Sequence, residues 1–420
     1  MIVKSILSVI AIASISTASE LSALKQEIAN INSKIIKLEN KRDITIVKKD
    51  SQDFSLGKET HINMKIKAQD NPDMWVKAGV RIQGTFENKN SVYDAYLRRV
   101  RFEISAGFNK YTSFSMDIRN DKANYQNNGE KGFNVGDAYL KIKKIFDTPL
   151  LNAKLYRAKI NISRTETVKS ARIIYYNRPY VADEAAQFIT HNRRGTNAQI
   201  YGDWKKKVSY QLAVGDGVYS GKLKDAKGNK FDGSDFEQTT FFYGGKLTLS
   251  PFDGWEEKSV TETYMGKGKH FSMGIGYWNS SNINYKDIKG NTQTINHTLI
   301  NADISAHYKG LFIQAEYFKF DGVVEDFSVA TVTGTSSGWY VGGEYVIKEL
   351  SFIAPYFRYE KWNKFEDKSG YELTSSVVGI NWYLRGNSTK IGISYQVDDY
   401  GVNIGDKQDT SLKITTQWFF

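Results

Sequence analysis

The last segment of the sequence, residues 410–420, reads TSLKITTQWFF, and its apolar and polar residues alternate. One parity carries Leu412, Ile414, Thr416, Trp418 and Phe420. The other carries Ser411, Lys413, Thr415 and Gln417. Successive side chains of a strand point to opposite faces, so this pattern predicts a β-strand with one apolar and one hydrated face.

A period of two governs the sequence from Met74 onward and predicts sixteen strands. Their expected positions are 74–87, 95–108, 111–120, 134–142, 151–160, 193–203, 206–215, 239–249, 270–278, 296–308, 311–320, 338–347, 351–360, 373–384, 389–399 and 410–420. We expect lipid to cover the apolar faces and the last strand to pair with the first, because an open strand edge in hydrocarbon is costly. The predicted fold is all-β, a sixteen-stranded antiparallel transmembrane β-barrel with a short N-terminal helical segment.

The connections between these strands support an up-and-down barrel, because short and long ones alternate. Short ones include Asn109-Lys110 and Lys309-Gly310, and long ones include 161–192, 279–295 and 321–337. Two depart from the pattern: 88–94 is short for an outside loop, and 250–269 is long for a periplasmic turn. Aromatic residues at strand ends are expected to form the interfacial girdles. They are Trp204, Trp278, Trp339, Tyr359, Trp382, Tyr383 and Trp418.

The amino terminus has a different composition from the barrel. Lys4 precedes an apolar stretch, 6–15, and small residues follow, so residues 1–18 are predicted to be a secretory signal peptide, with a buried helix as the alternative. Residues 19–40 carry apolar residues at spacings of three and four: Leu21, Leu24, Ile28, Ile31, Ile35 and Leu38. They predict a periplasmic heptad helix that forms a coiled coil when several chains are held together, or else packs on its own barrel. Residues 41–73 are interpreted as a linker, and 74–420 as the barrel.

A closed barrel of sixteen strands leaves a water-filled lumen, so a pore is the expected function. Basic residues concentrate around the connection 161–192: Arg157, Lys159, Arg164, Lys169, Arg172, Arg178, Arg193 and Arg194. Strand parity places Arg157 and Lys159 on the inward face. From the first two strands, four more are expected to line the lumen: Lys77, Arg81, Arg99 and Arg101. Such a cluster in a narrow channel raises the local concentration of anions, and arginine grips phosphate-like oxygens through a planar fork.

Three alternatives to a basic anion pore stay open at this point. The basic loop is also compatible with a solvated rim that contacts lipopolysaccharide. Acidic residues share the inward faces: Glu103, Asp117, Asp137, Glu316, Glu344 and Glu360. This mixture keeps a general or weakly cation-selective diffusion porin possible, and long loops keep a structural or adhesive barrel possible.

Several short segments resemble the phosphate-selective porins of the O and P type. They are Arg99-Val100-Arg101, Gly136-Asp137-Ala138-Tyr139, Lys159 with Ser163-Arg164, Arg178-Pro179-Tyr180-Val181-Ala182-Asp183, Arg194, Gln199-Ile200-Tyr201-Gly202-Asp203-Trp204, Tyr210 with Gly215-Asp216-Gly217, Ala315-Glu316-Tyr317, Pro355-Tyr356-Phe357-Arg358-Tyr359-Glu360 and Gly379-Ile380-Asn381-Trp382-Tyr383. The resemblance implies a homotrimeric outer-membrane porin whose third outside loop folds inward as the constriction. Near Lys159 the family has a Gly and a Pro where this chain has Tyr156 and Asn161, so the start of that loop is expected to differ in shape.

Other functions find less support in the sequence. The five histidines, His61, His191, His270, His297 and His307, lack a spacing typical of a nucleophile or metal site, so an enzyme is not expected. No cofactor or metal is predicted. The net charge of +11 is spread through alternating strands, which disfavours nucleic acid as a partner. The expected partners are outer-membrane lipid, lipopolysaccharide and small anions, and the expected location is the bacterial outer membrane with the N-terminal segment in the periplasm.

Overall fold

The structure is a computed structural model that describes most of the chain. The described residues are 18–39, 44–47, 64–68, 71–123, 125, 132–190, 193–218, 223–231, 236–238, 241–257, 259–287, 289–328 and 332–419. The signal peptide predicted for residues 1–18 falls outside them except for Ala18. Most of the predicted linker, 41–73, also falls outside them.

The described N-terminal residues form one helix and two short strands. Helix α1 spans Ala18–Glu39, β1 spans Ile44–Val47 and β2 spans Met64–Ala68. The two strands pair antiparallel, and β2 also pairs with the beginning of the barrel, so the interpretation of 41–73 as a plain linker missed two strands. The coiled coil stays a prediction. Among the described helices, none combines the length and the apolar character needed to cross a membrane.

Sixteen strands form one closed antiparallel barrel, as the sequence predicted. They are β3 Trp75–Lys89, β4 Val92–Gly107, β5 Thr112–Ala123, β6 Asn134–Ile142, β7 Asn152–Arg157, β8 Thr196–Trp204, β9 Val208–Gly215, β11 Phe242–Leu249, β12 Lys269–Lys286, β13 Thr292–Tyr308, β14 Leu311–Val324, β15 Thr333–Tyr345, β16 Ile353–Asn363, β17 Glu372–Asn387, β18 Thr389–Tyr400 and β19 Lys407–Phe419. Strand β10, Phe236–Gln238, adds a short pairing to β12. Closure is made by β19 and β3, whose register runs from Ser411 opposite Lys89 to Phe419 opposite Arg81.

The two faces of the wall follow the parity of the sequence. On β19, Leu412, Ile414 and Trp418 are more than two-fifths exposed, whereas Lys413 and Gln417 are buried inside the barrel. The apolar outer face is the one that lipid would cover. Two of the predicted girdle aromatics are exceptions: Trp278 and Tyr383 lie on the inner face and are completely buried. Their parity, rather than their position near a strand end, decides where they lie.

The two rims of the barrel differ in their connections. One, the turn rim, has mostly short links such as 309–310, and the other, the loop rim, carries 158–195. The loops predicted at 279–295 and 321–337 shrink to 287–291 and 325–332, because the strands continue beyond the apolar band. Beyond this band the strands do not contact lipid, so their apolar and polar residues no longer alternate regularly. The sequence pattern therefore underestimates the length of the strands. The connection 88–94 is a tight hairpin through Asn90 and Ser91, both with positive φ.

A β-bulge in β4 adds a basic residue to the inner face. Gln83 pairs with Arg99, but the next residue, Gly84, pairs with Leu97. Arg98 is therefore the extra residue, and both Arg98 and Arg99 are more than nine-tenths buried inside the barrel. Regular parity would have sent Arg98 outward, so the sequence pattern did not identify it.

The chain leaves β7 through a residue in the left-handed region. Tyr156 has φ 80 and is 63% exposed. A side chain at such a φ is strained, and glycine is the residue that adopts it freely. Tyr156 is therefore a bulky residue in a backbone conformation that glycine adopts freely.

Replacing Tyr156 with Gly should therefore increase the free energy of unfolding, by up to about 1 kcal/mol once the greater freedom of glycine in the unfolded chain is subtracted. Urea unfolding of the barrel in lipid vesicles measures the change. The neighbouring substitution Leu155→Gly, at a residue without positive φ, is the control and should reduce stability. Equal losses from both substitutions would contradict strain at Tyr156.

Candidate pore constriction

The connection between β7 and β8 folds into the barrel, and we name its described residues, 158–190 and 193–195, the constriction loop. It contains two short helices, α2 Arg164–Thr167 and α3 Tyr180–Phe188. Its apolar side chains pack on the inner faces of the wall. The loop residues Ile160, Ile162, Val181, Ala185 and Phe188 form one cluster with the wall residues Phe318, Phe320, Tyr340 and Trp362. This burial of apolar surface attaches the loop to the wall on one side of the lumen.

Small residues on β15 make room for the loop. A Cβ at Gly342 would collide with the hydroxyl of Tyr175. A Cβ at Gly338 would lie 2.9 Å from Val181 Cγ2. The glycines of this strand thus permit a close approach of the loop that any larger residue would block.

Carboxylates of the wall bind the backbone N–H groups at the start of both helices. Glu316 on β14 accepts from the N–H groups of Arg164 and Thr165 at 3.0 and 2.8 Å. Glu360 on β16 accepts from those of Tyr180 and Val181 at 2.9 and 2.6 Å. The first N–H groups of a helix have no partner within the helix, and their positive end favours a carboxylate. Each pair of contacts therefore holds one helix against the wall.

The segment between the helices is held by its carbonyl groups. Four side chains of the wall donate to them: Gln417 to Ala171 (3.0 Å), Lys390 to Ile173 (2.7 Å), Asn381 to Ile174 (3.0 Å) and Arg358 to Asn177 (2.8 Å). Arg98, the bulge residue, donates to the side chain of Asn177 at 2.6 Å and lies over the ring of Tyr176. The loop is thus fixed to strands from β14 round to β4.

The docked loop changes which inner charges a solute would meet. Glu316, Glu344 and Glu360 do point inward, as their parity predicts, but each is at most 2% exposed. Two of the three bind loop N–H groups, and Glu344 accepts from the hydroxyl of Tyr383 at 2.7 Å. These carboxylates are therefore excluded from the open lumen, a consequence that parity alone does not predict.

The opposite side of the lumen contains a cavity of about 360 Å³ between the loop and strands β3–β8, which we name the basic chamber. Ten basic residues line it: Arg81, Arg99, Arg101, Arg119, Lys154, Lys159, Lys169, Arg178, Arg193 and Arg194. Four acidic residues also line this chamber: Glu103, Asp117, Asp121 and Asp137. Basic residues therefore outnumber acidic ones in the lining of this chamber.

Seven of the eleven predicted site residues line the basic chamber, as does Lys169, and four lie elsewhere. Lys77 and Arg172 line an adjoining cavity on the side of β3, together with Arg81 and Lys169. Arg157 donates to the carbonyl of Gly136 at 3.0 Å. Arg164 pairs with Glu257 on the far side of the loop. The predicted strand 151–160 ends at Arg157, so parity could not place Lys159, which reaches the chamber from the loop.

Sequence reasoning missed two basic residues of the chamber. Arg119 shares the inward parity of Asp117 on β5, so the alternation could have identified it. Lys154 shares the parity of the buried Asn152 on β7, but the parity of that strand was counted from Arg157. Lys154 and Arg157 have opposite parity, so a count from Arg157 placed Lys154 on the outer face.

A buried carboxylate organises the basic residues of the loop. Glu166 lies 2.8 Å from Lys159 Nζ and 3.1 Å from Arg178 Nε, and Arg193 is 3.8 Å away. Burial favours the neutral acid, but these three cations outweigh it and hold the pKa of Glu166 well below its usual range. Burial also lowers the pKa of Arg193 to about 10, so Arg193 stays charged at neutral pH.

The basic residues differ in how far acidic neighbours neutralise them. Arg101 pairs with Asp121 at 2.7 Å, Arg194 with Asp137 at 2.6 Å and Arg81 with Glu103 at 3.4 Å. Arg99 and Arg119, by contrast, have no ion pair within 4 Å among the described residues. Within the described ranges, no cluster of His, Asp and Glu has an arrangement that could hold a metal ion.

Weakening the wall contacts should release the loop without unfolding the barrel. Glu316→Gln and Glu360→Gln each replace a carboxylate by an amide that cannot accept two N–H groups as strongly, a loss of about 1.5–3 kcal/mol per site. We expect faster trypsin cleavage within the constriction loop while the barrel keeps its β-sheet circular dichroism. Glu349→Gln, at an exposed residue of the turn rim, is the control. Cleavage rates equal to that of the unaltered protein would contradict the role of these carboxylates.

Comparison with known proteins identifies the fold. No protein-family model matches the sequence. A protein of Aquifex aeolicus described as uncharacterized is 24% identical over 393 residues, which cover 86% of this chain and 88% of that protein. Among solved structures, Salmonella typhi OmpF in complex with daunomycin has a TM-score of 0.55 at 12% identity and covers 82% of this chain and 98% of its own. The outer-membrane channel DcaP of Acinetobacter baumannii has a TM-score of 0.52 at 12% identity and covers 84% and 99%. The trimer form of OmpT, an outer-membrane protein of Vibrio cholerae, has a TM-score of 0.51 at 10% identity and covers 82% and 99%. The chain has the fold of the outer-membrane porins.

Proposed function

We propose that this protein is an outer-membrane porin that passes small, phosphate-like anions by passive diffusion through the basic chamber. The observation that carries the proposal is the separation of charge across the lumen. The wall carboxylates of β14 to β16 are covered by the constriction loop, while ten basic residues line the chamber left open. A solute that crosses the constriction therefore meets a surface of net positive charge.

The chemistry of the lining supports a preference for oxyanions. A narrow aqueous space between low-dielectric walls focuses the field of its charges, which raises the local concentration of anions. Arginine presents planar donors that match phosphate or carboxylate oxygens. Arg99 and Arg119 lie on neighbouring strands with no ion pair among the described residues, so both are available for such contacts.

The location and assembly that we propose follow from the same fold. The apolar outer face would contact outer-membrane lipid and lipopolysaccharide, and helix α1 would lie in the periplasm. A homotrimer is proposed because the resembled family is trimeric and because one of the similar structures is described as a trimer form. Ile28 and Ile31 of α1 are 39% and 49% exposed in the single chain, which is compatible with coiled-coil pairing between copies.

A general diffusion porin of weak selectivity is the second candidate. The observation in its favour is that four acidic residues also line the basic chamber, three of which pair with arginines. Paired charges attract a mobile ion weakly, so a larger neutralised fraction would reduce anion preference. A purely structural or adhesive barrel would instead conduct no ions.

Phosphate added to the purified protein in a planar bilayer should block its chloride current, because phosphate would occupy the same arginines. The double substitution Arg99→Gln with Arg119→Gln should weaken the block by about tenfold or more, since a hydrogen bond to a charged group contributes roughly 1.5–3 kcal/mol. Lys361→Gln, which removes an exposed cation from the outer face of β16, is the matched control. An unblocked chloride current, or an equal block in all three proteins, would contradict the proposed binding in the chamber.

A further inference from the structure

The connection between β11 and β12 enters the barrel from the turn rim, opposite the constriction loop. We name its described residues, 250–257 and 259–268, the inward turn. The ring of Tyr264 stacks between His270 and His307 of the wall, with centroids 4.5 and 4.6 Å apart. The N–H of Phe271 donates to the carbonyl of Trp255 at 3.0 Å. The unusual length of 250–269 thus reflects a second element inside the lumen.

Arg164 joins the inward turn to the constriction loop. Its Nη1 and Nη2 donate to Glu257 Oε2 and Oε1, both at 2.8 Å. It also donates to the carbonyl of Thr261 at 3.0 Å and to Ser272 Oγ at 3.2 Å. The two charged side chains are only 3% and 6% exposed. Burial opposes ionisation of Glu257, but the charge of Arg164 outweighs it and holds the pKa of Glu257 below its usual range.

A second carboxylate of the inward turn holds the same loop. Glu262 accepts from Thr165 Oγ1 at 2.7 Å, from the N–H of Ile174 at 2.8 Å and from Gln314 Nε2 at 3.2 Å. Glu262 is completely buried. The constriction loop is therefore held between the wall on one side and the inward turn below.

The inward turn also bounds a second cavity of about 370 Å³, the lower chamber, which shares Tyr139, Lys154, Asn161 and Thr167 with the basic chamber. Five basic residues line it: Lys141, Lys154, Arg164, Lys206 and Lys246. Three acidic residues also line the lower chamber: Asp203, Glu257 and Asp303. Each acidic residue pairs with a basic one, Lys206 with Asp203, Arg164 with Glu257 and Lys246 with Asp303. The lower chamber is thus much closer to neutral than the basic chamber.

We propose that the inward turn is a second specificity-determining element of the passage, in which Glu257 and Arg164 cancel each other's charge in the lower chamber while they clamp the constriction loop. The inference rests on the proposed anion passage and assigns Arg164 a positioning role rather than contact with the solute. A strongly basic site needs a weaker site beyond it, because conduction requires that a bound ion also leave. The lower chamber, with its smaller excess of basic residues, supplies that weaker site.

Single and double neutralisation of the pair tests this role. Glu257→Gln leaves the charge of Arg164 unpaired, so the permeability ratio of chloride to potassium should rise by about twofold or more. Arg164→Gln leaves Glu257 unpaired, so the ratio should fall by a similar factor. The double variant should return to the ratio of the unaltered protein, because both charges are gone. Single-channel recordings of all three should show more frequent closures than the unaltered protein, because the clamp is weakened.

A purely structural pair would not give shifts of opposite sign. The inference would be overturned if both single variants shifted the permeability ratio in the same direction, or if the ratio did not change. It would also be overturned if the double variant kept the shift of Arg164→Gln, and this result would place Arg164 among the solute contacts. Glu325→Gln with Lys368→Gln, an ion pair of 2.6 Å at the loop rim, is the control and should leave the ratio unchanged. A wild-type protein with no anion preference would instead overturn the proposed function itself, so the two failures are distinguishable.

Discussion

The constraint on which the rest of the structure depends is the attachment of the constriction loop to buried carboxylates of the wall. Glu316 and Glu360 bind the N–H groups that begin the two short helices of the loop, and Glu262 of the inward turn binds the N–H of Ile174 between these helices. A buried carboxylate is stable only when it is well paired, and a helix start supplies the matching donors. One set of contacts therefore both positions the loop and removes acidic charge from the lumen.

This attachment makes the barrel asymmetric inside. On the side of β14 to β16 the inner face is covered by the loop, with Phe318 and Tyr340 completely buried. On the side of β3 to β8 the wall faces the basic chamber, where Glu166 holds Lys159, Arg178 and Arg193 together from the side of the loop. The charged lining of the passage is thus built half by strands and half by a loop. Neither half would give the same field without the other.

The alternation of the sequence predicted the number of strands, their order and their two faces, because lipid on one side and water on the other impose a period of two. It was wrong where another physical effect sets the geometry. The bulge adds Arg98 to the inner face, and the positive φ of Tyr156 accompanies an exposed side chain, both without any change in composition. Arg164 pairs with Glu257, ninety-three residues later, and a contact between two inserted connections has no local pattern. The length of 250–269 was the one sign that a second element enters the lumen.

The zero-current potential of the purified protein in a planar bilayer under a KCl gradient tests the central claim most directly. If the loop covers the wall carboxylates and leaves the basic residues open, the potential takes the sign of chloride selectivity. That preference should also decrease as salt rises, because a shorter Debye length screens the charges of the chamber. A potential with the sign of potassium selectivity would show that acidic residues dominate the passage, and it would contradict the account of how the loop sets its charge.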